Sequence, residues 1–526
     1  MPDLSPFIAV SRRRFLAMAA ASVAASAIPA SRLEAQPSAK YLRRNLAAHG
    51  FPAKVLTSYA AAITAMLKLP PSDPRNWYRN AFVHTLDCPH GNWWFPAWHR
   101  GYLGWFERTC RDLSGDPDFA LPFWDWTVLT HVPLHFFQGV LDPSNSAYIS
   151  SYNDFFSQLS DPMSALWSSF SSAQKQQLSQ RGYNSIDDVW SQVQGDPMFF
   201  PNGQTRALTS SNPSLDKPTK RAVALSTITK ALAPKDFIGF GSDKAPQHSQ
   251  SAGFGILEGQ PHNNVHNCVA GFMVDMLSPV DPLFFLHHAN IDRLWDVWTR
   301  KQQKLNLPYL PTGADLQAWT SEPFLFFHDE KGQEVHQITA GDYDSVSFFN
   351  YSYEKGSGES AVANAVAQPN APPAQNFPGG ISSHALTLGS PSLSTVPVPA
   401  SVLKAAAVAA EGPAVFARIT IATPPSTHGV RFNIFVNPPQ NTSALNADSP
   451  SYAGTIEFFG AHHHDAPVAF TVPLSDTLKT LSAGNALKPD EPLRIVVLPD
   501  TRPGLAPEVA GQNFRSTLAD VTVGTF

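Results

Sequence analysis

Cysteine is nearly missing from this chain: 526 residues hold three, Cys88, Cys110 and Cys268. No disulfide framework can therefore hold the fold, and an odd count leaves at least one sulfur to explain. Charge is sparse too, at 15% of residues with a formal net of −5, and no block of five or six basic residues occurs. That removes the electrostatic footprint expected of a nucleic-acid partner. Long apolar runs are also absent. The stretch Ala17 to Ala27 is too short to span a bilayer, and no later segment is apolar for long enough to do so.

What is present is apolar and aromatic. Hydrophobic residues make up 43% of the chain, and its 12 Trp and 35 Phe are crowded into the first two thirds, as in a globular protein with large cores. At this length at least two domains are expected. Ser11-Arg12-Arg13-Arg14-Phe15-Leu16, followed by Ala17 to Ala27 with its small-residue end, resembles a twin-arginine export signal. The alternative is a chance basic amphipathic helix. The signal reading makes the export machinery a partner and the periplasm or the exterior the destination.

From about Tyr41 to Leu305 apolar residues recur at three and four spacing, as in Gly101 to Leu113 and Pro282 to Gln302, which predicts helices. Val140 to Gln250 carries no assignable motif and reads as mixed helix and surface loop. Lys355 to Ser382, rich in Gly, Ala, Asn and Pro, reads as a linker. Beyond it, Val415 to Ile421, Val430 to Val436, Thr455 to Phe459, Val468 to Val472 and Leu493 to Leu498 are alternating or β-branched runs between turn signals. Their spacing predicts an antiparallel sandwich or barrel. The expected organisation is a signal over 1–35, a mainly α domain (a helical bundle) over 36–354, a linker over 355–382 and an all-β domain over 383–526.

The chemistry rests on histidines. His84, His90 and His99 fall within sixteen residues of an aromatic-rich stretch. Imidazole suits copper, zinc, iron or nickel. The nine-residue step from His90 to His99 is about two and a half helical turns, so one straight helix would put the two on opposite faces. A loop must bring them together, and Pro96 supplies a break. In the second cluster, His262 and His266 stand at i and i+4, so a helix would project both rings from one face. That spacing alone is often incidental. A third histidine from the adjacent pair His287 and His288, inside an apolar helix start that Asp281 caps and Pro282 begins, makes a metal site the better reading. Two sets of three histidines without a nearby acidic pair argue against magnesium, calcium or a di-iron carboxylate bundle, and favour copper.

Together these segments resemble the type 3 copper proteins of the tyrosinase, catechol oxidase and polyphenol oxidase family. His84, His90 and Phe95-Pro96-Ala97-Trp98-His99-Arg100 match its first copper motif. His262, His266 and Asp281 to Asp292 match the second. The resemblance runs through Leu121 to Trp126 and, in Arg431 to Asn437 and Gly454 to His462, reaches the C-terminal domain of plant-type polyphenol oxidases. It implies two copper ions, dioxygen as co-substrate and oxidation of small phenols or o-diphenols to o-quinones. It implies that His288 rather than His287 binds copper, because Asp292 follows it by four. It implies a thioether between Cys88 and His90, against a plain buried thiol, and a water held by Glu258 and Asn263 that takes the phenol proton, against Glu258 as a helix-start acid. It also implies that the C-terminal domain covers the copper cleft until the linker is cut, the alternative being a purely stabilising domain.

Departures from the family pattern bear on specificity. Plant catechol oxidases often carry an aromatic gate before the last ligand, whereas Val274 to Pro279 offers the aliphatic Met276 and Leu277 and so a more open entrance. The plant enzymes' N-terminal disulfides have no counterpart. Phe284, Phe285, Trp295 and Trp298 read as core, Cys110 and Cys268 as inert thiols, and His462-His463-His464 as a solvated turn. A hemocyanin-like dioxygen carrier, an o-aminophenol oxidase and a structural zinc protein are the competing readings.

Overall fold

A computed structural model describes residues 39–194, 206–366, 374–380, 383–408, 414–422, 429–440, 445–459, 466–501, 514 and 516–526. The export-signal reading over 1–35 and the triple His462-His463-His464 lie outside the described residues.

Four helices carry the first core: Ala53–Lys68, Trp77–Asp87, Phe95–Ser114 and Leu283–Lys304. Asn76 caps the second by accepting the Tyr78 and Arg79 backbone N–H groups, and Gly115, at φ +69°, stops the third in a left-handed turn. The predicted helices over Gly101 to Leu113 and Pro282 to Gln302 lie inside the last two. Asp281 does cap the last helix, its Oδ1 accepting from Leu283 N at 2.8 Å, but the helix begins at Leu283, one residue later than expected.

The third and fourth helices are clamped at their centre by buried ion pairs. Arg100 Nε donates to Asp292 Oδ1 at 2.7 Å, and Arg43 reaches both Asp292 (3.2 Å) and Glu107 (2.8 Å). Burial alone would raise the Asp292 carboxyl, but Arg100 and Arg43 beside it hold it below the usual carboxylate range. Tyr351 and Tyr353 donate to the same carboxylate from a strand, Tyr351–Tyr353, paired in parallel with Tyr41–Arg43. Gly104 leaves room for the Phe349 ring, which a Cβ there would meet. The motif-poor stretch after Val140 holds further helices, among them Tyr152–Ser169, Ser172–Gln180 and Ile186–Gln194.

The C-terminal region forms two sheets around a second core. One runs in the order Gly253–Phe254, Val468–Pro473, Val415–Ile421, Ser516–Thr525, Gln375–Pro378, with His384–Leu386 also on Ser516–Thr525; the other runs Ser392–Val396, Leu493–Thr501, Val430–Val436, Tyr452–Ile456. Val415–Ile421 alternates buried and half-buried residues, the signature that made it legible. Two helices, Ala400–Val408 and Ser475–Ala483, add Leu403, Leu478 and Leu481 to this core, so the domain is β-rich where pure β was expected. Gln375–Pro378, inside the stretch read as linker, pairs with Ser516–Thr525. The edge strand Gly253–Phe254 comes from the helical region, and Phe254 stacks on Phe470 at 4.7 Å. No helix among the described residues is long and apolar enough to cross a membrane.

Candidate metal centre

His84 stands on the helix Trp77–Asp87, His90 on the loop after it, and His99 one turn into Phe95–Ser114, whose first turn contains Pro96. The expected loop and break thus bring the three together. One ligand atom from each of His84, Cys88, His90 and His99 lies within 4.8 Å of the others, all buried. His262 ends a widened π-type turn, Glu258–His262, that contains Pro261, and His266 follows on Asn263–Val269. Widened turns of this kind recur at functional sites. The two rings sit 4.5 Å apart, as the i, i+4 spacing predicts. His262, His266, His287 and His288 form a second buried group within the same 4.8 Å limit. The groups meet where His99 and His288 stack face to face, centroids 4.1 Å apart at 10°. These two residues flank the Arg100–Asp292 clamp.

Backbone carbonyls fix the rings. Nδ1 of His84 contacts the Met276 carbonyl at 2.7 Å, Nδ1 of His99 the Phe95 carbonyl at 2.8 Å, and Nδ1 of His266 the Met273 carbonyl at 2.6 Å. Each carbonyl takes the Nδ1 proton and leaves a lone pair on Nε2, which in His99 faces Cys88 Sγ at 3.4 Å and in His266 faces His288 Nε2 at 3.1 Å. Nε2 of His84 and of His262 are buried without a partner. Burial drives the pKa of His84 and His262 down to about 3 and lowers those of His90, His99, His266 and His288 well below the ordinary range. Buried neutral nitrogen lone pairs, with no carboxylate in either group, fit borderline-soft metal ions.

Cys88 Sγ lies 3.6 and 3.5 Å from the two ring nitrogens of His90 and 3.4 Å from His99 Nε2. Glu258 is buried; its Oε1 accepts from Gly91 N at 2.8 Å and its Oε2 from the Ser242 hydroxyl. Burial pushes its pKa up to about 8, against the pull of those two donors. Asn263 Oδ1 meets His262 Nδ1 at 2.8 Å, and its Nδ2 donates to the Glu457 carbonyl at 2.9 Å. Cys110 and Cys268 are buried and outside any disulfide, and Cys268 Sγ accepts from Asp216 N at 3.3 Å. Met276 and Leu277 do not open an entrance in this structure. Both are buried, because the Met276 carbonyl serves His84 and the loop packs beneath the site.

Sequence reasoning expected a cover from the C-terminal domain but did not name the residue that rests on the histidines. The run read as a strand from Thr455 to Phe459 pairs only over Tyr452–Ile456, and Glu457, Phe458 and Phe459 run on past the strand, Phe458 packing in the second core against Phe432 and Phe470 while Phe459 turns to the histidines. Phe459, 2% exposed, stacks on His266 at 3.9 Å and stands edge-on to His90 at 5.0 Å and His262 at 5.3 Å. Side-chain amides hold the segment: Asn264 Nδ2 donates to Thr455 O at 3.1 Å, Asn263 Nδ2 to Glu457 O, and Asn267 Nδ2 to Phe458 O at 3.1 Å. The repeated Asn in Asn263-Asn264-Val265-His266-Asn267 was the available signal. Phe284, read as core, also lines the chamber, 4.1 Å from the His288 centroid.

Residues 69–301 match the tyrosinase family, described as the common central domain of tyrosinase. Over this stretch, a little under half of the chain, the sequence is similar to the tyrosinase family. Spinach (Spinacia oleracea) chloroplastic polyphenol oxidase is 29% identical over 324 residues, 57% of this chain and 45% of that protein. The chain thus spans about half the length of the curated relatives it matches. A latent aurone synthase (polyphenol oxidase) structure aligns over 93% of this chain and 91% of its own at 20% identity, TM-score 0.57. A functional unit of octopus hemocyanin aligns over 92% and 99% at 16% identity, TM-score 0.51. At these identities the structural likeness is one of fold. The type 3 copper proteins that the sequence resembles hold a pair of copper ions, and the two histidine groups have the donor chemistry for one each.

Proposed function

We propose that the protein is a copper-dependent polyphenol oxidase that converts phenols or o-diphenols to o-quinones with dioxygen and is latent in the covered state described above. The observation that carries this reading is the face-to-face stack of His99 and His288, which joins two triads in one buried chamber. His84, His90 and His99 would hold one copper; His262, His266 and His288 the other. When bound, the copper pair supplies electron transfer between dioxygen and the phenol. The chain's own residues do the rest. Phe95, Phe284 and Phe459 exclude water around the imidazoles. Glu258, with its pKa near that of a useful proton acceptor at neutral pH, holds a water together with Asn263 and takes the phenol proton through it.

Phe459 supports the latent reading, because an aromatic ring resting on His266 occupies space an aromatic substrate needs. In the covered state the Asn263 amide is also committed to Glu457, away from any water. Cutting between 355 and 382, or undocking the 455–459 segment, would expose the chamber. The separate core of the C-terminal sheets, which include Gln375–Pro378, supports a boundary before 375 and so earlier than 383. Cys88 Sγ lies at near-equal distances from both nitrogens of His90, within reach of the ring carbon between them, which supports the thioether. Forming it replaces S–H and C–H by S–C, releasing two protons and two electrons that oxidised copper would accept. Residues 11–27 support export by the twin-arginine route to the periplasm or exterior.

Oxygen uptake by copper-loaded full-length protein, with tyrosine, catechol and o-aminophenol and before and after limited proteolysis, tests this reading. Quinone formation that rises on cleavage is expected; failure to bind two copper ions, or no turnover in either state, rejects it. A hemocyanin-like carrier is the second reading, favoured by the shared fold and the covered chamber. Reversible dioxygen binding without quinone would select it.

A further inference from the structure

His287 has a job to explain. It is fully buried, one residue from His288, and its ring belongs to the second histidine group. The indole N–H of Trp126, also fully buried, donates to His287 Nδ1 at 3.0 Å. Indole nitrogen can only donate, so Nδ1 must offer its lone pair and cannot carry a proton. An imidazole without a proton on Nδ1 carries it on Nε2. That atom is therefore an N–H, with no lone pair for a metal ion, and it is buried with no hydrogen-bond partner. Its ring lies 5.4 Å from that of His262, nearly parallel, and 4.9 Å from that of His266, nearly perpendicular.

These facts separate the two adjacent histidines by chemistry. His288 keeps its ring free of any indole and stacks on His99, whereas Trp126 has turned His287 into a donor. A buried N–H without an acceptor is costly, by about the desolvation of one polar group, unless a ligand supplies the acceptor. Resting on the proposed copper reading, we propose that His287 is the hydrogen-bond donor of the second copper site, its Nε2–H presented to an acceptor atom bound there, such as a phenolic or solvent oxygen. Trp126 is the positioning residue that sets its tautomer. The bland competitor is an N–H lying against the His266 ring with no ligand role.

Fluoride, a small anion that accepts hydrogen bonds strongly, is the probe for the covered full-length protein. Copper-loaded protein is titrated with fluoride and followed by visible copper absorption, with copper per chain measured in parallel. His287→Phe should retain two copper ions and weaken fluoride about tenfold, the effect of losing one hydrogen bond to a charged acceptor. His287→Gln, which restores an N–H, should recover part of it. In metal-free protein labelled with 15N-histidine, the His287 signal, assigned by its loss in His287→Phe, should report protonated Nε2, and Trp126→Phe should shift it toward a mixture of tautomers. Unchanged fluoride affinity in His287→Phe, a drop to one copper, or a protonated Nδ1 in the native chain would each overturn the proposal. A native chain that took up no copper would defeat the copper reading itself, and this proposal with it, even if the tautomer were as stated.

Discussion

The two histidine groups are built by different means. His84, His90 and His99 come from two helices and the loop between them, all within sixteen residues, and are braced by Met276 and Phe95 carbonyls of the helical region. His262, His266 and His288 come from two separated segments, and one of their supports lies outside that region: Asn263, against His262, is tied to the Glu457 carbonyl. Phe459 rests on His266, but it reaches His90 as well. The first group is thus an internal structure, and the second is coupled to the C-terminal domain. The lesson is that the segment 455–459, which covers the histidines, also holds the Asn263 side chain that orients His262.

The comparison breaks most sharply if the groups are not separable. His262→Ala should lose the second copper and His99→Ala the first, each lowering quinone formation by more than about a hundredfold, beyond the cost of losing a mere outer partner of a ligand. Copper per chain checks it. Because His99 and His288 stack, His99→Ala is the variant in which loss of both ions would show the halves to be one unit. A smaller effect is expected from uncovering. Phe459→Ala removes the ring over His266, and Asn267→Ala removes the bond to Phe458; each should raise uncleaved activity about tenfold, the worth of roughly 1.4 kcal/mol in the docking equilibrium. Oxygen uptake without proteolysis measures it. If Asn267→Ala were silent while cleavage activated the protein, the amide contacts would not be what holds the cover.

How much of this was legible follows the same division. Period-3.6 patterns exposed the helices that carry His99 and His288, and spacing alone demanded the turn at Pro96. Within the β-rich domain, Val415–Ile421 and Val430–Val436 match the expected strands to the residue, because one face alternates or a β-branched run is closed by turns. The helix Ala400–Val408 was hidden by an apolar alanine-rich run with no polar face to mark its period. Phe459 was hidden for a deeper reason. Its burial depends on contacts more than 190 positions away, against His262 and His266, and local pattern carries no record of such a partner. The choice of His288 over His287 came from the resemblance, through Asp292; the indole of Trp126, 161 residues before His287, was not legible as a reason for it.

Glu258 sharpens the comparison by pH. It belongs to the segment of the second group, yet it accepts from Gly91, next to His90. Its folded pKa, about 8, lies above the ordinary 4.5. Between those values the folded chain keeps a proton that the unfolded chain releases, so the stability contributed by the neutral carboxyl is full below about 4.5 and is lost as pH rises through 8. Glu258→Gln removes that dependence. Thermal unfolding of the metal-free protein should therefore show the native chain losing ground to Glu258→Gln steadily from pH 5 to pH 8. A gap independent of pH would mean that the carboxylate is ionised throughout and that the bond from Gly91 is stronger than burial.

The smallest effect should come from Cys88, although it is the sulfur nearest to the first group. If the thioether forms, it only fixes a ring already enclosed by Phe95, His84 and His99, with centroids 5.8, 5.2 and 5.6 Å from that of His90. Cys88→Ala should then keep both copper ions and most of the activity, while first-site copper leaves faster under a chelator because His90, on a loop, has lost its tether. Peptide mapping of the copper-loaded native chain should find Cys88 and His90 joined and lighter by one hydrogen pair. Recovery of an unmodified Cys88 peptide, with chelation rates equal in native and variant proteins, would reduce the sulfur to packing. The first group would then owe its order to the backbone carbonyls on His84 and His99 and to the rings packed around His90.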